Sequence, residues 1–362
     1  MTQQDIADAL KVSHITVHRA LNNSGYVSRG LKERILAYAR DVHYVPHKAS
    51  QILLRNKVRK IAIFSSALPH YFWNDIRTGI TIGAEQIQAF NYQVNYRTIA
   101  ERNTRLYLKR LNEEIVGGVE AVAIVNQWIF DMKSIIASIE RKGIPFLTLN
   151  VDAPDSNRIC YIGPDYRAGG RLAAEYIGKI LRFKKNPRVL VITTPAEIPN
   201  DSSTPDLNRL RYEGFLQGIQ RYFGSIAHEV GYLTTDIRSK EVGSQIEDLL
   251  RSRKAKVDVI YFIPAYNTQF IQALEKSGHK DTVIVLHDMD SSANHYLEKN
   301  LQTAVIYQNP ILQGYYAVKI LENMLESGHP PDLRQITIEH SLLLNENKNL
   351  YKNHYLFARM IE

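Results

Sequence analysis

DIADALKVSHITVHRALNNSGYVS, residues 5–28, reads as two short helices joined by a tight turn, and that reading decides the rest. Ile6, Ala7 and Leu10 fall on one face of the first helix. Lys11-Val12 turns the chain, and Ser13 is an N-cap for a second helix from about His14 to Asn22. There Val17, Ala20 and Leu21 share a face at i, i+3 and i+4 and pack back on the first helix. His14, Ile15, His18 and Arg19 point the other way. A third helix over roughly 29–42 carries Leu31, Ile35, Leu36 and Ala39, and Tyr44-Val45-Pro46 stops it.

In a helix-turn-helix the second helix enters the DNA major groove, N-terminal residues first. His14 and His18 offer ring nitrogens to base edges, Ile15 suits a thymine methyl, and Arg19 suits a guanine or a phosphate. Ser13, Thr16, Asn22 and Ser28 fit polar and phosphate contacts around that helix. The charge agrees. Residues 1–60 hold 11 Lys/Arg against 4 Asp/Glu, a net of +7, whereas the whole chain is +8. A basic head on a near-neutral body is the footprint of a nucleic-acid reader joined to something else. His14 and His18 also have i, i+4 metal-ligand spacing, but no third ligand lies nearby in sequence, so no metal is expected. Charging of the two histidines should raise DNA affinity as pH falls.

DIADALKVSHITVHRALNNSGYVS followed by YVPHKASQILLR resembles, without a gap over about 55 residues, the DNA-binding head and hinge of the lactose-repressor (LacI/GalR) family. The resemblance implies a short hinge helix from His47 to Leu54 that pairs with its partner's over the minor groove. His47 and Ser50 would sit against DNA and Leu53 would wedge between base pairs. Two departures stand out: Lys11 occupies the turn position where glycine is usual, and His14, Ile15 and His18 differ from the more usual reading residues. The operator therefore cannot be copied from a relative.

Beyond Lys60 the pattern changes. Short β-branched runs (IAIFSS, QVNYRTI, VEAVAIV, PFLTLNV, RVLVITT, VDVIYFIP, DTVIVLHD) alternate with amphipathic stretches such as DIRTGITIGAEQIQAF. This predicts α/β architecture with parallel sheets, in which ligands bind at the carboxyl ends of strands. The order of motifs is similar to the two-lobed periplasmic-binding-protein-like (type I) effector domain of the same family. The expected domains are 1–46 (head), 47–59 (hinge and linker) and 60–362 (effector and dimerisation), with lobe 1 at about 60–163 and 308–333 and lobe 2 at about 164–305 and 334–362. The resemblance implies an effector cleft containing His70, Phe72, Trp73, Asn150, Asp152, Arg158, Arg211, Asp288 and Gln308. Carboxylate, guanidinium and amide groups together match the donors and acceptors of a sugar, a polyol or a derivative. Plainer roles compete: core packing for Phe72 and Trp73, an interlobe ion pair for Arg211, a surface position for Arg158. The stretch Pro264-Ala265-Tyr266-Asn267 departs from the family's usual Asn-Asp pair.

A ligand-controlled, homodimeric DNA-binding regulator, most simply a repressor, is the resulting expectation. Its partners would be double-stranded operator DNA and the small-molecule effector, with no cofactor and no membrane. A single cysteine, Cys160, no leading apolar stretch and no run of ~18 apolar residues point to a cytoplasmic protein. Two rivals are a solute-binding protein without a DNA role, which the basic head opposes, and a sugar-acting enzyme. Walker, GxSxG, GxGxxG and zinc-ligand patterns are absent from the sequence.

Overall fold

The computed structural model describes residues 2–21, 25–42, 44, 57–99, 102–127, 129–195, 204–224, 226, 228–234, 239, 241–252, 257–264, 266–277, 279, 282–300 and 303–349. The chain divides into two units, Met1–Val58 and Arg59–Glu362.

In the first unit α1 (Gln3–Leu10), α2 (His14–Leu21) and α3 (Arg29–Asp41) enclose Ile6, Ala7, Val17, Ala20, Ile35 and Ala39. α1 begins before the apolar periodicity does because Thr2 and Asp5 form a capping box. Asp5 N donates to Thr2 Oγ1 at 3.2 Å, and Thr2 N donates to the Asp5 carboxylate at 2.7 Å. Lys11 closes α1 with φ 53° and ψ 46°, so this side chain occupies the left-handed conformation that glycine adopts without cost.

The second unit contains two six-stranded sheets. The first runs in the order β2 (Tyr92–Thr98), β1 (Arg59–Ser65), β3 (Val119–Ile124), β4 (Phe146–Leu149), β5 (Cys160–Pro164) and β11 (Gln335–Ile338), all parallel. In the second, β7 (His228–Tyr232), β6 (Val189–Thr193), β8 (Val259–Phe262), β9 (Val283–His287) and β10 (Ala304–Tyr307) are parallel, and β12 (Ser341–Leu343) joins β10 antiparallel. The central strands are near-continuous apolar runs because both faces are covered. Ile61 and Ile63 face one core, and Ala62 and Phe64 the other.

The helices of the first lobe are α4 (His70–Gln88), α5 (Thr104–Val116), α6 (Met132–Arg141) and α12 (Pro310–Ser327). Those of the second are α7 (Tyr166–Leu181), α8 (Leu207–Phe223), α9 (Val242–Arg251), α10 (Asn267–Ser277) and α11 (Ser291–Lys299). The chain passes between lobes at Asp165, at Gln308-Asn309 and at Glu339-His340. The third passage falls after β11, not at 333/334 as the sequence had divided the lobes. The cause is local: β11 pairs with β5, and Arg334 and Arg158 exchange guanidinium-to-carbonyl hydrogen bonds at 2.7 and 2.9 Å. No helix among the described residues is long and apolar enough to cross a membrane.

Candidate ligand cleft and nucleic-acid interface

The carboxyl ends of the central strands of both lobes supply a shared polar cluster. Three of its residues sit at positive φ: Asn150 after β4, Asp288 after β9 and Asn309 after β10. Asn and Asp tolerate this conformation better than other side chains, and such strain concentrates at functional sites.

From these positions a hydrogen-bonded path runs from lobe to lobe. Asn150 Nδ2 donates to Gln313 Oε1 at 3.0 Å and to Gln308 Oε1 at 3.4 Å. Gln308, in the second passage, donates its Nε2 to Asp288 Oδ1 at 2.7 Å. The other oxygen of Asp288 lies 3.6 Å from Arg211 Nη2. Arg211 Nη1 donates to the carbonyl of Ile263 at 3.1 Å, and its guanidinium lies over the ring of Tyr166. The Tyr166 hydroxyl returns to the first lobe by donating to Asn150 O at 3.1 Å. Thr204 adds a second link, donating to Asn126 Oδ1 at 3.0 Å.

Arg211 is placed by backbone packing. A Cβ at Gly170 of α7 would lie 1.9 Å from the carbonyl oxygen of Arg211 on α8, and one at Gly214 would lie 2.0 Å from Arg167 O. Only glycine at both crossing points lets these helices approach so closely.

Not all of the predicted cleft residues join this cluster. Asp152 and Arg158 are spent on each other through two hydrogen bonds, and Asp152 also accepts from Thr148 Oγ1 at 2.7 Å. That pair ties the loop after β4 to β11. Phe72 and Trp73 pack edge to face in the core of the first lobe, with Trp73 Nε1 donating to Leu68 O at 2.8 Å. His70 begins α4 and is exposed.

The same helix brings two residues that were not among the expected cleft residues. Tyr71 and Asp75, at i, i+4, interact electrostatically with Asp288 of the other lobe. Burial, reinforced by Asp288, pushes the Asp75 carboxyl up to about 6. Burial and then Asp288 and Asp290 push the Tyr71 hydroxyl upward. Asp288 itself is raised because burial outweighs Arg211 and Gln308. The signal was available: Phe72, Ile76 and Ile80 mark the buried face of α4, which leaves Tyr71 and Asp75 on a flank one turn apart.

Asn267 was also left open by the sequence. It is fully buried and donates to the carbonyls of His287 and Asp288, both at 3.0 Å. Behind Arg211, burial and then the guanidinium hold His287 well below the usual histidine range and bring His340 down to about 4. Both rings are therefore neutral at neutral pH. Among the described residues no group of His, Cys, Asp and Glu could hold a metal ion.

Among the buried side-chain atoms without a hydrogen-bond partner in the described residues are two on residues that contact Asp288, Arg211 Nε and Asn267 Oδ1. A donor and an acceptor left open beside a buried carboxylate suit a molecule with adjacent hydroxyl groups.

In the head, Ser13 accepts from Thr16 N at 3.1 Å, and its hydroxyl lies 2.8 Å from that of Thr16. Ser13 thus caps α2. His14, Ile15 and Arg19 are exposed and His18 is partly so. Ile15 is 60% exposed on a helix whose other face is buried. Ser28 stands at the N-cap position of α3 without a capping hydrogen bond from its side chain. Asn22, His47, Ser50 and Leu53 lie outside the described residues.

Residues 61–329 match the family described as periplasmic binding protein domain, and residues 2–47 match bacterial regulatory proteins, lacI family. The chain is 30% identical over 180 residues to "Probable HTH-type transcriptional repressor ExuR" of Bacillus subtilis (strain 168), a match covering 49% of this chain and half of that relative. It is 24% identical to the NTD biosynthesis operon regulator NtdR of the same organism, over 80% of each chain. A solved structure from Bacteroides fragilis, described as a putative LacI transcriptional regulator, superposes with a TM-score of 0.69 at 16% identity. It covers 82% of this chain and all of that one, and the likeness is one of fold.

Proposed function

The chain belongs to the lacI family of bacterial regulatory proteins, and on that premise we propose that it is a transcriptional repressor whose hold on operator DNA is controlled by a small polyhydroxylated effector. The observation that carries the second half is the path Asn150–Gln308–Asp288–Arg211, which joins the lobes through one of their three connections. A ligand that engages Arg211 Nε and Asn267 Oδ1 binds groups of the second lobe beside Asp75 and Tyr71 of the first. It therefore favours one arrangement of the lobes, and a ligand shifts an equilibrium only through such a preference.

The first half rests on the exposed face of α2. His14, Ile15, His18 and Arg19 read bases, while Ser13, Thr16 and Ser28 contact or order the phosphate backbone. The working form is a homodimer on a near-palindromic operator, as two-fold symmetry requires. The effector leaves the cleft unchanged, since the protein performs no reaction on it.

Deleting residues 1–58 tests both halves at once. The shortened protein should lose operator binding and keep effector binding. Retained operator binding overturns the head's role, and lost effector binding in a folded body overturns independence of the cleft. In the full chain, Asp288→Asn should abolish the effector response while basal DNA affinity persists.

A further inference from the structure

The cleft carries a lopsided charge. Asp75 from the first lobe and Asp288 and Asp290 from the second interact with one another or with Tyr71 between them. The cation in contact with this group is Arg211, already engaged with Asp288 and with Ile263 O. The sequence offers no other at the neighbouring strand ends. The loops after β1, β3, β6, β8, β9 and β10 contain neither Lys nor Arg, and Arg158, after β4, is paired with Asp152. Asp290 caps α11 through Ala293 N and accepts from Thr268 Oγ1, so one guanidinium faces the two remaining carboxylates, Asp75 and Asp288.

We propose that the molecule this cleft accepts is a polyhydroxylated amine, an amino sugar or amino polyol whose ammonium group lies among Asp75, Asp288 and Asp290. The proposal names the effector class for the repressor reading and rests on it. An ammonium brings three donors, no acceptor and a positive charge. It compensates the Asp75 carboxylate, for which Arg211, paired with Asp288, leaves no partner. The unpartnered acceptor Asn267 Oδ1 is a further place for an N–H or O–H donor, because Asn267 is fully buried and bonded to the backbone of Asp288. Arg211 Nε, on a residue only 4% exposed and also unpartnered, takes a ligand hydroxyl oxygen. A carboxylated sugar would add a like charge beside three others, and like charges in a desolvated site repel strongly.

Ionisation of Asp75 couples binding to pH. Burial and Asp288 keep its carboxyl partly protonated in mildly acidic solution, and a nearby ammonium stabilises the ionised form. The charged and titratable groups facing this part of α4 are Asp288, Asp290, Arg211 and Tyr266 from the second lobe and Tyr71 from α4 itself. On the side of α4 packed against α12, Tyr315 bonds Gln86, and Lys319 pairs with Glu322. Toward β2, Arg77 lies over Tyr96. Binding of the amine should therefore strengthen between about pH 5 and about pH 7, where an ordinary carboxylate is already ionised.

The test is thermal unfolding of the full chain with millimolar D-glucosamine, D-galactosamine or D-mannosamine, against D-glucose, D-galactose, D-mannose and D-glucuronate, at the two pH values. At least one amine should raise the melting temperature by several degrees at the higher pH and by less at the lower one. Asp75→Asn, nearly isosteric, should remove that pH gain. An equal or larger rise with a neutral sugar or glucuronate, or no rise with any of the amines, overturns the proposal. A neutral-sugar rise that disappears in Arg211→Lys overturns the amine while leaving the effector cleft in place. A rise that survives both Arg211→Lys and Asp288→Asn removes the cleft and the amine together.

Discussion

Replacing Asp75 with Asn should stabilise the ligand-free protein, and by an amount that depends on pH in one direction only. The folded protein holds the Asp75 carboxyl at about 6, against 3.8 for the free side chain. A raised carboxyl binds its proton more tightly when folded than when unfolded. Its contribution to stability is therefore greatest below the unfolded value, falls as pH rises, and is lost above the folded value. A shift of about two pH units corresponds to roughly 3 kcal/mol. Asp75 retains some solvent contact, and screening reduces the effect to about 1–3 kcal/mol. The wild type and Asp75→Asn should be compared by urea unfolding at intervals from about pH 4 to about pH 8, so that every other titrating group cancels in the difference. The curve should start near zero, climb between about pH 4 and 6 and level off in favour of the variant, matching a melting rise of about 2–6 °C. A flat difference, or a variant less stable than wild type at neutral pH, refutes the setting that raises Asp75, its burial first and Asp288 second.

Lys11→Gly should stabilise the head by about 1 kcal/mol, seen as a later unfolding transition of that unit in calorimetry, because glycine removes the cost of a side chain at φ 53°. Gly170→Ala should destabilise the second unit by more than about 3 kcal/mol in denaturant unfolding, since its Cβ meets Arg211 O at 1.9 Å. Gly30→Ala in α3, where nothing lies within 4 Å of the new carbon, should instead raise head stability by about 0.5–1 kcal/mol. Arg211→Met should cost about 3–5 kcal/mol near neutral pH by leaving the buried Asp288 carboxylate without its ion partner; an unchanged midpoint would mean that the pair carries no weight.

How much of this was legible in the sequence depended on whether the signal was local. The head read well because each helix announces itself within a few residues: the Val17, Ala20 face, the Ser13 cap and the left-handed turn at Lys11 all follow from short-range stereochemistry. The α/β alternation read equally well, since strands buried on both faces are apolar runs. The clustering was legible where a polar residue ends an apolar strand: the structure brings Asn150, Asp288 and Gln308 together, and Arg211 joins them from α8. It was less legible within helices. Phe72 and Trp73 were expected in the cleft, yet the helical period turns both inward and leaves Tyr71 and Asp75 on the flank that interacts with Asp288. Asp152 and Arg158 have the right chemistry for a ligand, but being six residues apart they reach each other first. The passage at Glu339-His340 was misplaced because β11 is held by pairing with β5, a contact more than 170 residues distant in sequence that no local pattern records.

Selection of duplexes from a random-sequence library, run with the full chain and with residues 59–362 alone, tests the central claim most directly. The full chain should enrich an inverted repeat whose half-sites lie about one helical turn apart, Ile15→Ala should relax the preference within each half-site, and the shortened chain should enrich nothing. An unstructured enrichment that only tracks charge, or the same motif recovered without the head, would contradict the account.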